Sequence, residues 1–487
     1  MDAVTASTTT VAAPLLLNQH TSLMHGWLPV LVQAATAVLL VLAAGWRSRR
    51  WRVLSLPIAA AAGIAVAASV HWYIETHGLS DEPAPVALLL WVALSGAAAV
   101  VLVLGWRSAR RWQRAVSISA LPLSLLCIAL AVNAWVGYFP TVQNAWNQLT
   151  SGPLPDQADK ATVNALAAKR ALPVRGSVVE ATIPATVSHF KHRGELVYLP
   201  PAWFASNPPP RLPTVMMIGG EFNTPADWLR AGDAVKTIDD FAAAHGGESP
   251  VFVFVDSGGA FNNDTECVNG TRGNAADHLT EDVVPYMVST FGVSREPSKW
   301  GIVGYSMGGT CAVDLTVMHP DLFSTFVDIA GDLSPNSGTK TQTIARLFGG
   351  SSRAWAEFDP ATVMTKHGRY TGLSGWFAVN SPGAAAQQRN IPVVDTAAVP
   401  GARAAGTANE QTVAAESLCA LGRSQGIDCA VVAQPGKHDW PYAGRAFASA
   451  LPWLAGQVGT PGVARISLPR VASIPPRPAT PRVGSHR

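Results

Sequence analysis

The chain has 487 residues, a formal net charge of +3 and 48% hydrophobic residues. This length exceeds that of one ordinary domain, and so small a charge does not indicate a nucleic-acid partner. Composition divides the chain near Pro140: the part before it is mostly Ala, Leu and Val with almost no acidic residues, whereas the rest has the balance of a soluble globular protein. We therefore expect an apolar N-terminal part followed by a globular part.

Four apolar stretches lie in the first part, at residues 27–45, 53–72, 86–105 and 115–136. Each is close to the roughly 20 residues that a helix needs to cross a bilayer. The sequence predicts an α-helical membrane bundle of four spans over residues 27–138, preceded by an extracytoplasmic segment at 1–26. The spans carry no ionisable side chain except His71 at one edge, which favours an anchor over a transporter.

The charges of the loops between these stretches predict an orientation. Residues 47–52 and 107–114 are rich in arginine, whereas the loop at 75–85 is acidic. By the positive-inside rule both arginine loops lie in the cytoplasm and both ends of the bundle lie outside. We therefore expect a multi-pass protein of the cell membrane whose C-terminal domain is extracytoplasmic.

Cysteine usage agrees with an oxidising compartment for the second part. Cys127 falls in the fourth span, and the other four cysteines lie beyond it, an even number that makes two disulfides plausible. Cys419 and Cys429 join a predicted helix end to the following strand, which favours that pair. Cys267 with Cys311 remains by elimination, while other pairings or free thiols stay open.

The second part begins with a linker at 139–175. From residue 176 to 456, short apolar strands alternate with helices, a pattern that predicts a mostly parallel sheet covered on both faces. Residues 176–187 and 194–199 are expected to be two antiparallel edge strands. The tail at 457–487 is rich in Pro and Arg and is predicted to be disordered.

The pentapeptide Gly304-Tyr305-Ser306-Met307-Gly308 is the most informative motif of the chain. It follows the apolar run 300–303 and precedes a helical pattern at 309–318. A strand that turns sharply into a helix on G-x-S-x-G holds its serine in a strained, exposed position, and the glycines leave room for the neighbouring backbone. This context predicts that Ser306 is a nucleophile.

A serine nucleophile needs a base and donors for the oxyanion. His438 follows the last predicted strand, where the base of such a fold is expected. The amide of Met307, directly after the nucleophile, is the first expected donor. The second is the amide of Glu221, in a loop where Gly219-Gly220 lets the backbone approach closely.

The acid that should orient the histidine has three candidates. Chain order limits it to residues 307–437, and the strand expected to present it is followed by Asn380-Ser381-Pro382, which contains no carboxylate. Glu410, at the start of the helix before the last strand, is the first choice. Asp395 is the second and Asp332 the third.

The sequence indicates neither a metal site nor a cofactor. Its histidines are scattered, no Cys/His cluster has ligand spacing, and glycine-rich phosphate loops are absent. We therefore expect no metal and no cofactor.

Residues 176–456 resemble the Putative esterase family of α/β-hydrolases, which contains esterase D and the antigen 85 mycolyltransferases. The motifs that carry the resemblance are Gly304-Tyr305-Ser306-Met307-Gly308-Gly309, Met318-His319-Pro320-Asp321-Leu322-Phe323, Gly436-Lys437-His438-Asp439-Trp440-Pro441-Tyr442 and Phe261-Asn262-Asn263-Asp264-Thr265-Glu266-Cys267. The resemblance implies serine ester hydrolysis or acyl transfer outside the cell membrane, with Ser306 as nucleophile, His438 as base and Met307 as oxyanion donor. The membrane bundle resembles that of membrane-tethered actinobacterial relatives.

Two functional hypotheses follow. The first is a membrane-anchored extracytoplasmic serine esterase or acyltransferase that acts through an acyl-enzyme on esters of envelope lipids or glycolipids. Its partners would be an acyl ester or glycolipid substrate and membrane lipid. The alternative is a catalytically silent envelope-binding protein on a hydrolase fold, since a fold does not determine a function.

Overall fold

The computed structural model describes residues 21–45, 47–77, 84–150, 154–170, 172–381 and 410–469. The chain forms two compact units, Met1–Pro153 and Leu154–Arg487. The predicted disordered tail lies outside the described residues from position 470 onward, as does Asp395.

The described part of the N-terminal unit is helical, and four helices there are long and apolar enough to cross a membrane. They are α1 (Trp27–Ala44), α2 (Leu56–His77, entered through a π-helical turn at Trp51–Ser55), α3 (Val86–Gly105) and α4 (Arg111–Val136), and a short α5 (Val142–Leu149) follows. Their outer faces expose large apolar side chains, among them Val41 and Val103, which are 72% and 73% exposed. An apolar surface of this extent is unfavourable in water.

Small residues allow close packing inside this unit. A Cβ atom on Gly63 of α2 would lie 2.2 Å from the carbonyl oxygen of Ala93 in α3. Arg47 donates hydrogen bonds to the carbonyl of Gly105 and to the hydroxyl of Ser108. This contact brings the two arginine-rich loops to the same end of the bundle, the arrangement on which the predicted orientation depends.

The C-terminal unit contains a large sheet, a two-stranded ribbon and the helices that connect and cover them. The strands are β1 (Ser177–Ala181), β2 (Glu195–Leu199), β3 (Thr214–Ile218), β4 (Val251–Val255), β5 (Asn269–Gly270), β6 (Gly273–Asn274), β7 (Trp300–Tyr305), β8 (Thr325–Ile329), β9 (Ser374–Ser381) and β10 (Asp428–Pro435). The helices are α6 (Lys160–Lys169), α7 (Asp227–Arg230), α8 (Ala234–Ala244), α9 (Ala275–Asp277, continued by a π-helical turn at His278–Val283), α10 (Val284–Phe291), α11 (Met307–Met318), α12 (Lys340–Phe348), α13 (Ser352–Phe358), α14 (Pro360–His367), α15 (Glu410–Ser424) and α16 (Trp440–Gln457). Short 3-10 turns lie at Pro201–Phe204 and Pro297–Lys299.

The large sheet has the strand order β1-β2-β4-β3-β7-β8-β9-β10. β1 pairs antiparallel with β2 and β2 antiparallel with β4, whereas all pairs from β4 to β10 are parallel. The predicted parallel sheet with antiparallel edge strands is therefore confirmed. β1 ends at Ala181, whereas the sequence predicted a strand up to residue 187. Pro184 in the predicted range has no backbone N–H to donate a hydrogen bond to a neighbouring strand.

Alternate residues of the strands pack against helices on opposite faces. Phe252 of β4 contacts Phe447 of α16 with ring centroids 6.0 Å apart. Its neighbours Val251 and Val253 belong to a core cluster that also contains Leu315 of α11. Because successive side chains of a strand point to opposite faces, the sheet is covered on both sides.

Two disulfides are present, and both predicted pairs are confirmed. Cys267–Cys311 joins the loop before β5 to α11, and Cys419–Cys429 joins α15 to the start of β10. Cys127 in α4 is a free, buried thiol.

Candidate active site

Ser306 lies in the sharp turn between β7 and α11. Its backbone has φ 58° and ψ −125°, outside the regions favoured by residues with a side chain. A Cβ atom on Gly304 would lie 1.6 Å from the carbonyl oxygen of Gly308, and one on Gly308 would lie 2.4 Å from that of Ile218. Glycine is therefore required at both positions of the motif, and the strained turn is maintained by close packing of the backbone.

The two segments expected to donate to an oxyanion lie beside Ser306. Met307 is the first residue of α11, and the N–H groups of a first helical turn have no intrahelical acceptor. On the other side is the loop at residues 219–223, since a Cβ atom on Gly220 would lie 3.3 Å from the Cβ of Ser306. The N–H of Gly220 donates to Oδ1 of Asn223 at 2.9 Å, and the predicted donor Glu221 is the next residue.

Aromatic packing places His438 next to the turn that carries Ser306, the predicted nucleophile (below, the nucleophile turn). Its ring lies 5.1 Å, between centroids, from that of Tyr305, and Tyr305 also contacts Trp440 at 5.2 Å. Burial lowers the pKa of His438 to about 4, so the ring is neutral at pH 7 and able to accept a proton. Within the described part of the chain no hydrogen bond joins this ring to Ser306, and such bonds are often long in free enzymes.

The three proposed acids are placed differently. Glu410 is the first, exposed residue of α15, a helix that leads into the parallel strand β10 and so begins near the carboxyl edge of the sheet. Asp332 follows β8, where its N–H donates to Thr310 and its carboxylate accepts from Asn336. His438 has no hydrogen bond to any residue that the structure describes, and Asp395 lies outside those residues.

The route of the chain indicates where an acid can reach His438. Ser381 at the end of β9 pairs with Pro435 at the end of β10, three residues before the histidine. The described chain therefore stops at Ser381, one strand away from His438, and resumes at Glu410, the first choice from the sequence. Asp395, the second choice, lies between these two residues in the sequence.

One buried carboxyl group below the nucleophile turn was not anticipated from the sequence. Asp328 of β8 accepts a hydrogen bond from the N–H of Gly331 at 2.7 Å, and a Cβ atom on Gly309 would lie 2.3 Å from its Oδ1. Burial raises the pKa of Asp328 to about 7, against the opposing effect of the Gly331 bond. The sequence feature that could have pointed to this group is an aspartate within the apolar run 326–329.

A second unanticipated group lies at the 219–223 loop. Arg193 forms an ion pair with Asp256 and also reaches the backbone of Asn223. The available signals were an arginine just before a predicted strand and an aspartate directly after another, at the carboxyl edge of the sheet where sites of such folds lie.

The structure also brings together His192, Glu195 and His278, whose candidate ligand atoms all lie within 4.8 Å of one another. The sequence did not indicate this cluster, because its members come from separated parts of the chain. The two imidazole rings stack at 4.3 Å with an angle of 21° between their planes. A ring nitrogen binds an ion in the plane of its ring, so an ion in the plane of one ring would lie well outside the plane of the other. As placed, the three side chains form a hydrogen-bonded cluster in which Glu195 and His278 are buried, with Nε2 of His278 3.1 Å from Glu195.

Residues 191–454 match the sequence profile of the family described as Putative esterase. The chain is 28% identical over 372 residues to an uncharacterized protein of Corynebacterium glutamicum, an alignment that spans 73% of this chain and 84% of that one. Among solved structures it is similar to a ferulic acid esterase, with 17% identity, a TM-score of 0.44 and coverage of 58% of this chain and 99% of that one. It is also similar to S-formylglutathione hydrolase from Agrobacterium tumefaciens (15% identity, TM-score 0.45, coverage 59% and 97%) and to Mycobacterium tuberculosis MPT51 (18%, 0.36, 57% and 99%).

The profile match spans more than half of the chain and contains both the Ser306 turn and His438. It also covers all strands of the large sheet except β1. The resemblance and the fold predicted from the sequence are confirmed, and the chain belongs to the Putative esterase family of α/β-hydrolases.

Proposed function

We propose that this chain is a membrane-anchored, extracytoplasmic serine esterase or acyltransferase that acts on esters of envelope lipids or glycolipids. The observation that carries the proposal is the Ser306 turn. The serine has φ 58° and ψ −125° at the start of α11, with the 219–223 loop packed against it. A strained serine between two potential oxyanion donors is the arrangement that acyl transfer requires.

The reaction would proceed through a covalent intermediate. The neutral ring of His438 takes the hydroxyl proton of Ser306 as the oxygen attacks the ester carbonyl. The amides of Met307 and Glu221 stabilise the oxyanion, and the protonated histidine then gives its proton to the leaving alcohol. Water or an acceptor hydroxyl repeats these steps on the acyl-enzyme, so hydrolysis and transfer differ only in the acceptor.

An apolar surface beside the 219–223 loop supports a substrate with an apolar group. Phe222 of this loop lies 5.5 Å, between ring centroids, from Phe261, which is 71% exposed. Gly220 of the same loop packs against Ser306, so we propose that these rings contact the acyl chain or aromatic acyl group of the substrate.

The N-terminal helices and the disulfides support the proposed location. Four helices are long and apolar enough to span a bilayer, and the arginine-rich loops lie at one end of the bundle. Both disulfides belong to the unit that follows the helices. Disulfides persist in oxidising compartments, which favours an extracytoplasmic hydrolase unit.

The proposal is tested by labelling the full-length protein in membranes with a fluorophosphonate probe. We expect the wild type to be labelled, and Ser306→Ala and His438→Ala to abolish or strongly slow labelling. Ser289→Ala, which removes an exposed serine of α10, is the matched control and should label like the wild type. A folded wild type that does not react would contradict the enzyme and favour the silent envelope-binding protein.

The acid is assigned by a second series on the same protein. We expect one of Glu410→Gln, Asp395→Asn and Asp332→Asn to lower kcat by about 10²–10⁴-fold, as loss of an orienting carboxylate does in serine hydrolases. The other two should retain most of the activity. Full activity in all three variants would exclude every acid suggested by the sequence.

A further inference from the structure

Arg193 connects a buried carboxylate to the 219–223 loop. Its Nε donates to Oδ2 of Asp256 at 3.0 Å and its Nη2 to Oδ1 at 2.6 Å, which is a bidentate pair. The same Nη2 donates to the backbone carbonyl of Asn223 at 2.7 Å. A planar guanidinium suits this geometry, because its donors diverge in fixed directions.

Asp256 is a buried anchor for the Arg193 side chain. It directly follows β4, is almost fully buried, and also accepts hydrogen bonds from the N–H groups of Gly258 and Gly259. Burial raises the pKa of this carboxyl, but the bonds from Arg193 outweigh burial, and the net pKa lies below its ordinary value. The carboxylate therefore stays ionised and paired at neutral pH.

The segment that carries Arg193 is anchored independently. Two residues later, the buried Glu195 accepts a hydrogen bond from His278 at 3.1 Å. Asp282, four residues after that histidine, accepts from the N–H of Val187 at 3.0 Å. Both ends of the segment are thus tied to the π-helical turn His278–Val283, so that Arg193 extends from a rigid support.

A short series of contacts connects Arg193 to Ser306 through Asn223 and Gly220. The side chain of Asn223 accepts the N–H of Gly220, and Gly220 packs against Ser306. Between Gly220 and Asn223 in the chain lies Glu221, whose amide is the proposed oxyanion donor. A shift of the Asn223 backbone would therefore move this donor relative to the reacting carbonyl.

We propose that Arg193 is a positioning residue that holds the 219–223 loop so that the Glu221 amide points at the oxyanion. This inference rests on the proposed function. The guanidinium commits Nε and Nη2 to Asp256 and Asn223, which assigns it a role in orienting the loop. An ammonium in its place would keep the charge beside Asp256 but could not maintain the same fork of bonds.

The test compares Arg193→Lys, Asn223→Ala and the double variant of the full-length protein with a chromogenic short-chain ester. We expect each single change to lower kcat by about 10–100-fold, since loss of one oxyanion donor costs about 10²–10³-fold, with KM within about twofold of the wild type. Because both changes act on one loop, the double variant should be about as slow as the slower single variant.

Arg423→Lys is the matched control. Arg423 also donates two guanidinium hydrogen bonds, both to the carbonyl of Cys429. Cys429 lies near the amino end of the parallel strand β10, whereas Ser306 follows the carboxyl end of β7. This control should keep kcat and KM, and circular dichroism should show that all variants are folded.

Three results would overturn the inference while the proposed function stands. An unchanged kcat in Arg193→Lys would show that the loop does not need the guanidinium. An increase in KM alone would assign Arg193 to substrate binding, and multiplicative effects in the double variant would show that the two residues act separately. A wild type no more active than Ser306→Ala would overturn the proposed function itself, and the inference with it.

Discussion

At the scale of single residues, the site combines a strained serine, the proposed nucleophile, with a histidine, the proposed base, that burial keeps neutral. Ser306 is held at positive φ by glycines whose replacement would clash with backbone atoms. His438 lies against the ring of Tyr305, and burial rather than a charged neighbour determines its low pKa. A carboxylate that joined this histidine during catalysis would favour the imidazolium and raise that pKa.

The pH dependence of kcat/KM reports this pKa. With His438 titrating at about 4 rather than 6.5, the base stays neutral down to mildly acidic pH. We expect kcat/KM to be constant from about pH 8 to pH 5 and to fall tenfold per unit only below about pH 4. Circular dichroism at each pH separates this limb from unfolding. An acidic limb of kcat/KM at 6.5 or above would contradict the prediction and indicate that a carboxylate already pairs with the histidine in the free enzyme.

At the scale of secondary-structure elements, α11 is the centre of the hydrolase unit. It starts directly after Ser306, packs on the sheet and is tied by Cys267–Cys311 to the loop before β5. Cys419–Cys429 instead closes a short connection between α15 and β10, away from the nucleophile. Because Cys267–Cys311 closes a longer stretch of chain than Cys419–Cys429, the two disulfides constrain the unfolded chain to different extents.

Removal of the two disulfides should have unequal effects on stability. The sequence separations are 44 and 10 residues. Loop-closure entropy gives a loss of about 4 kcal/mol for Cys267→Ala/Cys311→Ala and about 2.7 kcal/mol for Cys419→Ala/Cys429→Ala.

The measurement is the midpoint temperature of the loss of circular dichroism on heating, repeated with loss of fluorophosphonate labelling as a probe of the hydrolase unit. All four cysteines are buried, so each double variant serves as the control for the other. An equal or larger decrease for the Cys419–Cys429 pair would contradict the entropic argument.

At the scale of the whole molecule, the chain combines an apolar helical unit with a disulfide-bonded hydrolase unit. The proposed orientation depends on the arginine loops, which Arg47 joins at one end of the bundle. Under the proposal, the positive-inside rule puts that end in the cytoplasm, and an even number of spans then puts both chain ends of the bundle outside.

Cysteine accessibility tests this orientation. In a Cys127→Ala background, which removes the free thiol, Lys169→Cys lies on the exposed side of α6 and Ser48→Cys lies in the first arginine loop. We expect a membrane-impermeant maleimide to label position 169 in intact cells and position 48 only after permeabilisation. The reverse pattern would place the hydrolase unit in the cytoplasm.

The sequence by itself determined the features that depend on neighbours along the chain. Apolar runs predicted the four long helices and the strands, and the turn around Ser306 was predicted because its glycines and flanking elements are contiguous. His438 was located from its position after the last strand. These signals are local, so one sequence was sufficient to find them.

Only the tertiary structure decided which distant residues meet. Arg193 and Asp256 pair because β2 lies beside β4, although β3 comes between them in the chain. Asp328 lies under the nucleophile turn through the pairing of β7 with β8, and His192, Glu195 and His278 meet across separate elements. Strand order and burial set these contacts and the pKa values that follow from them, and hydrophobic periodicity carries no information about either.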